Sequence, residues 1–212
     1  TAVGIGTLLN ITTGEDNVAI GEYALQNAGV GELRNIAIGS LAMQNMDEGT
    51  SGNINYNIAV GRNALSGADL GTGSTDVMHN IAIGTDSLRL VSGDAQTGTI
   101  AIGKMSLNAL TTGADNIGIG YEAGKSLTTG AGNTILGYQA GTDADTATVN
   151  AEYNTYLGWN AGRYLDDGEH NVAVGAGAMK SADSDGQNAI DNVAVGLNAL
   201  TAITTGDNNV AI

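Results

Sequence analysis

Asn35-Ile36-Ala37-Ile38-Gly39 is the unit from which this chain is built. An asparagine opens it, three mostly apolar residues come next and a glycine closes it. The same five positions return at 17–21, 57–61, 80–84, 99–103, 116–120, 133–137, 154–158, 171–175 and 192–196, with Thr99 the one departure in the first position. Partial copies flank them at 3–6 and 209–212. Ten in-frame copies of one unit are a repeat architecture, in which each unit buries its apolar face only by stacking on its neighbours. Counting the first partial copy, successive glycines stand 15 to 23 residues apart, most often 17. The nine residues from the asparagine onward keep their length. The variation falls before the next asparagine, at 44–56, 66–79, 89–98, 142–153 and 180–191, and insertions confined to one point of a coil are expected to leave it as loops along one edge.

Within a block the second and fourth positions are large and β-branched, at Val18 and Ile20, Ile36 and Ile38, Ile58 and Val60, and they alternate with an alanine. Period two is strand patterning. The large residues are expected to face inward and the alanines to form a second apolar face, against which a partner subunit packs closely. After the glycine, Leu65 and Ala68 or Leu107 and Leu110 are spaced by three, which predicts a bend or a very short second strand. Thr-Thr-Gly at Thr12, Thr111, Thr128 and Thr204 supplies turns into the next coil. A glycine in every unit and β-branched residues at the periodic positions argue against helices. The fold class expected is all-β, a parallel β-solenoid of about eleven coils, which at ~4.8 Å per coil gives a rod of roughly 50 Å.

Composition agrees. The 212 residues include 33 Gly, seven Tyr and one Trp, with no Pro, Cys or Phe. So few large side chains suit thin stacked layers better than a wide globular core. Seven Lys and Arg against 22 Asp and Glu leave a formal net charge of −15, which repels a phosphate backbone, so nucleic acid is not an expected partner. No apolar run approaches the ~20 residues of a membrane span, and no membrane insertion is expected in this segment. The sequence opens and closes inside a repeat, and residues 1–212 read as one solenoid domain excerpted from a longer fibre.

The recurring block, Asn-x-x-Ala-Ile-Gly or a close variant, resembles the head repeats of YadA-like trimeric autotransporter adhesins over nearly the whole chain. The resemblance implies a left-handed parallel β-roll, three such rolls packed side by side as a homotrimer, and an extracellular setting. The longer units and the Thr-Thr-Gly turns are also similar to repeats of phage tail fibres and tail spikes, which sit in trimeric receptor-binding structures. Units of 17 or more residues, with no neck, stalk or membrane anchor, depart from the adhesin pattern, and the reading leans to the virion fibre. The resemblance thus implies a non-enzymatic segment of a virion tail fibre or cell-surface adhesin, at the virion or bacterial surface, with a host or cell-surface glycan or protein as receptor. The rivals are a glycan-cleaving tail spike and an ice-binding β-solenoid. The latter needs threonines in register on successive coils, and the Thr-Thr pairs skip several.

Several residues suggest chemistry. Gly118-Ile-Gly-Tyr-Glu-Ala-Gly-Lys125-Ser126 superficially resembles a phosphate-binding loop, but Ile119 stands where the first glycine belongs. His79 and His170 each precede a block asparagine, with nothing nearby in sequence specifying a nucleophile. Of the 22 acidic residues, 19 lie outside the nine-residue units of constant length, in the variable linkers, which reads as a solvated edge rather than a glycosidase pair. Asp183-Ser-Asp185-Gly186-Gln-Asn188 has the alternating oxygens and turn glycine of a calcium loop without its distal glutamate, and Asp143 with Asp145 is a lesser candidate. No other cofactor is indicated. The asparagine column is expected to form a ladder of amide hydrogen bonds. Three consecutive blocks place an aromatic after the glycine, at Tyr121, Tyr138 and Trp159, and in these the later apolar position becomes Gly124, Gly141 and Gly162. With Tyr153, Tyr156 and Tyr164 nearby, the rings form either a row for face stacking on sugars or a ladder filling a subunit interface where leucine is lost.

Overall fold

A computed structural model describes residues 1–10, 13–26, 32–46, 53–67, 76–89, 96–142, 150–164, 167–181 and 188–212. It is all-β, a parallel β-solenoid, with no helix among the described residues. In chain order the strands are β1 (Ala2–Val3), β2 (Val18–Ile20), β3 (Ile36–Ile38), β4 (Asn53–Asn55), β5 (Ile58–Val60), β6 (Asp76–Met78), β7 (Ile81–Ile83) and β8 (Gln96–Thr97). After these come β9 (Ile100–Ile102), β10 (Ile117–Ile119), β11 (Thr134–Leu136), β12 (Thr155–Leu157), β13 (Val172–Val174), β14 (Val193–Val195) and β15 (Val210–Ala211).

Each block supplies one strand of a twelve-stranded parallel sheet ordered β1-β2-β3-β5-β7-β9-β10-β11-β12-β13-β14-β15. Equivalent block positions pair, as in Ile36 with Ile58, Ala37 with Ala59 and Ile38 with Val60. At the start of the chain Val3 pairs with Ile20. Gly4, not Gly6, therefore holds the glycine position there, and the first step is 17 residues rather than 15. The glycine is required. At Gly84 φ is 133°, and a Cβ would stand 2.5 Å from the carbonyl oxygen of Gly103 in the next coil, where only a residue without a side chain fits.

The strand faces are the reverse of the expectation. Ala19, Ala37, Ala59, Ala82 and Ala101 are fully buried, whereas Ile20 is 39% exposed and Ile38 36%. Val18, Ile36, Ile58 and Val60 are half-buried. The alanine face is therefore the solenoid's own interior, not a surface for a partner. The cause lies in the turn after the glycine, where Tyr23 (φ 55°) and Leu25 (φ 49°) adopt left-handed conformations on either side of Ala24. The Tyr23 amide donates back to Ile5 and the Leu25 amide forward to Ala42. This path sends both Ala24 and Leu25 inward, fully buried. A lumen already holding a leucine and a methyl per coil has room opposite for one more methyl and not for two isoleucines.

The stretches before the asparagine are not all loop. β4, β6 and β8 form a second parallel sheet, with Ile54, Val77 and Gln96 pointing into the core. At the Thr-Thr-Gly turns 111–113, 128–130 and 204–206 the chain bends without a strand, and Thr111 donates through its hydroxyl to the Thr128 carbonyl at 2.9 Å.

Where leucine is lost, the core is refilled from inside. A Cβ on Gly124 would meet Leu107 and Ile135, and one on Gly162 would meet the Tyr156 ring. In the coils of Gly141 and Gly162 the alanine position has become Ile135 and Tyr156, 2% exposed each, so core volume is conserved there by exchange between two inward columns. In the coil of Gly124 it is Gly118, and Leu107 and Ile135 of the neighbouring coils fill the space. The surface aromatics are not what replaces the leucine.

Candidate functional site

The block asparagines form the expected ladder, and it is internal. Asn35, Asn57, Asn80, Asn116, Asn154 and their equivalents are buried. Each Oδ1 accepts the backbone amide that opens the next block, at 3.0 Å from Asn57 to Asn35 and 2.8 Å from Asn171 to Asn154. Each Nδ2 donates to a carbonyl of the next coil, as from Asn57 to Val77 at 2.7 Å and from Asn154 to Gly168 at 2.7 Å. These amides are fully employed in holding coil to coil, so the column is structural chemistry.

Two outward columns carry the varied chemistry. One comes directly after the glycine and reads Arg62, Thr85, Lys104, Tyr121, Tyr138, Trp159 over six coils. Tyr121 and Tyr138 stack with centroids 5.2 Å apart and planes 10° from parallel. Lys104 Nζ lies 5.8 Å from the Tyr121 centroid, a cation–π contact. Tyr138 is 47% and Trp159 55% exposed. Beneath this column Glu122 accepts from Gln139 Nε2 at 2.7 Å and pairs with Lys125 at 3.3 Å. Partial burial pushes the Glu122 carboxyl upward, and these two contacts with Lys125's charge outweigh that and lower it below its usual range. The negative charge of Glu122, with its hydrogen bond, raises the Tyr121 phenol.

The other column precedes the asparagine, at left-handed backbone positions such as Arg34 (φ 59°), Tyr56 (61°), His79 (61°), Tyr153 (54°) and His170 (56°). Arg34 pairs with Asp16 at 3.6 Å and donates to the Tyr56 hydroxyl at 2.8 Å, and Tyr56 stacks on His79 at 5.0 Å. Lower on the rod Tyr153 stacks on His170 at 5.7 Å, and His170 Nδ1 lies 3.5 Å from Asp191. Sequence reading missed this column, although the residue before every asparagine shows it once the blocks are aligned.

Of the six aromatics named from sequence, Tyr121, Tyr138 and Trp159 are brought together in one column, and Tyr164 lies under the Arg163 guanidinium, 4.5 Å from its ring centroid. Tyr153 stands in the other column. Tyr156 is not a surface residue at all: its ring fills the interior, and burial drives its phenol strongly upward against a partly offsetting interaction with Asn171. Asp183 and Asp185, with Asp143 and Asp145, lie outside the described residues. Among the described residues no three His, Cys, Asp or Glu converge as a metal group does. Lys125 of the loop-like segment is paired with Glu122 in an ordinary coil turn. No protein-family model, no curated protein and no solved structure matches this chain.

Proposed function

We propose that the chain is a structural and adhesive segment of a trimeric extracellular fibre, a virion tail fibre or a cell-surface adhesin, that mediates attachment to a host or cell surface. One observation carries the reading. The outward face of the long sheet is a continuous aliphatic strip, with Ile20, Ile38, Ile83, Leu136, Leu157 and Val195 each more than a third exposed and a second row of half-buried Val and Ile beside it. A strip running the length of a rod exceeds the scattered apolar exposure of monomers and marks an interaction surface. Three copies turned about a common axis would each cover it, which agrees with the left-handed trimeric roll implied by the repeat. Attachment then falls to the columns that remain outside.

Sedimentation equilibrium on the purified chain tests this. A trimer is expected at micromolar concentration, and Ile38→Asp with Ile83→Asp is expected to dissociate it or bring it out of solution, since each places a charge inside the interface. A wild-type chain that stays monomeric and soluble to high concentration would sink the trimer.

A further inference from the structure

We propose that the column Arg62, Thr85, Lys104, Tyr121, Tyr138, Trp159 binds a carboxylate-bearing polysaccharide lying parallel to the rod axis. The inference rests on the adhesive reading and names its ligand class. Sugars usually meet aromatic rings face on, through their C–H groups. Here that mode is closed at Tyr121, whose faces are covered by Lys104 on one side and by Tyr138 on the other. What such a stack turns outward is ring edges, the positive end of the aromatic quadrupole. In the same column stand exposed Lys104 and Arg62, two of only seven cations in a chain of net charge −15. The two acidic side chains flanking this stretch are both held, Glu122 by Lys125 and Gln139 and Asp86 by Asn63 and Arg89. The column is thus a local line of positive potential on an acidic molecule, and such a line suits an anion whose charges recur along its length. The ring spacing of 5.2 Å is close to one residue of an extended glycan, so successive coils meet successive sugars. At the lower end Trp159 is succeeded in its column by the small side chain of Ala176, which leaves that ring face open for one terminal sugar.

The test measures binding of the full chain, by calorimetry, to oligomers of polygalacturonate and hyaluronate and to the methyl-esterified form of each, which keeps the backbone and removes the charge. Binding to at least one acidic form is expected, with the ester weaker by roughly tenfold, the combined effect of two exposed charge contacts. Lys104→Gln combined with Arg62→Gln should abolish the preference for the acid while leaving ester binding unchanged. Trp159→Ala should weaken both forms. Equal affinity for acid and ester, or a preference that survives the double substitution, overturns the proposal. If the labelled chain attaches to cells yet binds neither acidic glycan, the adhesive reading stands and this ligand assignment falls. If it does neither, both fall.

Discussion

Thr99 is the only block whose first residue is not asparagine, and its surroundings show what the amide contributes. Its backbone amide still donates to Asn80 Oδ1 at 2.9 Å. It has no side-chain amide to send toward Gly113, the position equivalent to Gly130, which receives Asn116 Nδ2 at 2.8 Å. The Thr99 hydroxyl is buried without a hydrogen-bond partner, and so is the amide of Gln96 beside it. Thr99→Asn should restore both rungs and stabilise the chain by about 1–3 kcal/mol, read as a higher urea midpoint with unchanged slope. A lower midpoint would show that the ladder is not what joins the coils. The sequence made this ladder legible because one residue type recurs at a fixed position. Tyr156 is harder to place, because its proximity in sequence to exposed aromatics suggests a surface ring. Aligned with Ala19 and Ala37, Tyr156 stands in the inward column, and its appearance in a block that also carries Gly162 was the signal that could have placed it.

At the scale of the element, strand identity and register were legible, and the direction of the faces was not. Alternation of isoleucine with alanine shows that two faces exist. When both are apolar it carries no sign of which is inside, and the decision is made by the left-handed turn at residues such as Tyr23 and Leu25, which no spacing rule announces. The insertions conceal their strands for a related reason. Asp76-Val77-Met78 is too short to display a period, yet as β6 it pairs with both β4 and β8, and Val77 is fully buried. Sequence alone implies that exchanging 66–79 for a short turn like that at 111–115 leaves stability nearly unchanged. The structure predicts the opposite: losing the middle strand of a three-stranded sheet and the burial of Val77 should cost about 3–6 kcal/mol. A thermal melt of the exchanged chain within a degree or two of the parent would contradict this.

For the whole molecule, cohesion is a sum of contacts between neighbouring coils, opposed by a net charge of −15 spread along a rod. Two electrostatic effects compete. The ion pair of Arg34 with Asp16 and the polar contact of His170 with Asp191 hold coil to coil, but the partners in each are about half exposed or more, and contacts of that kind are worth little in water. The repulsion among 22 acidic residues, by contrast, is present whichever individual pair forms. Salt weakens both effects, so its net sign reports which is larger. Here repulsion should win: raising sodium chloride from a few millimolar to physiological strength shortens the screening length to ~8 Å and should stabilise the fold by about 1 kcal/mol. For a chain of this size that is roughly 2–4 °C in Tm. A Tm that instead fell with salt would mean that the exposed charge ladders are major coil-to-coil contacts, and Arg34→Gln would then be expected to abolish much of the dependence.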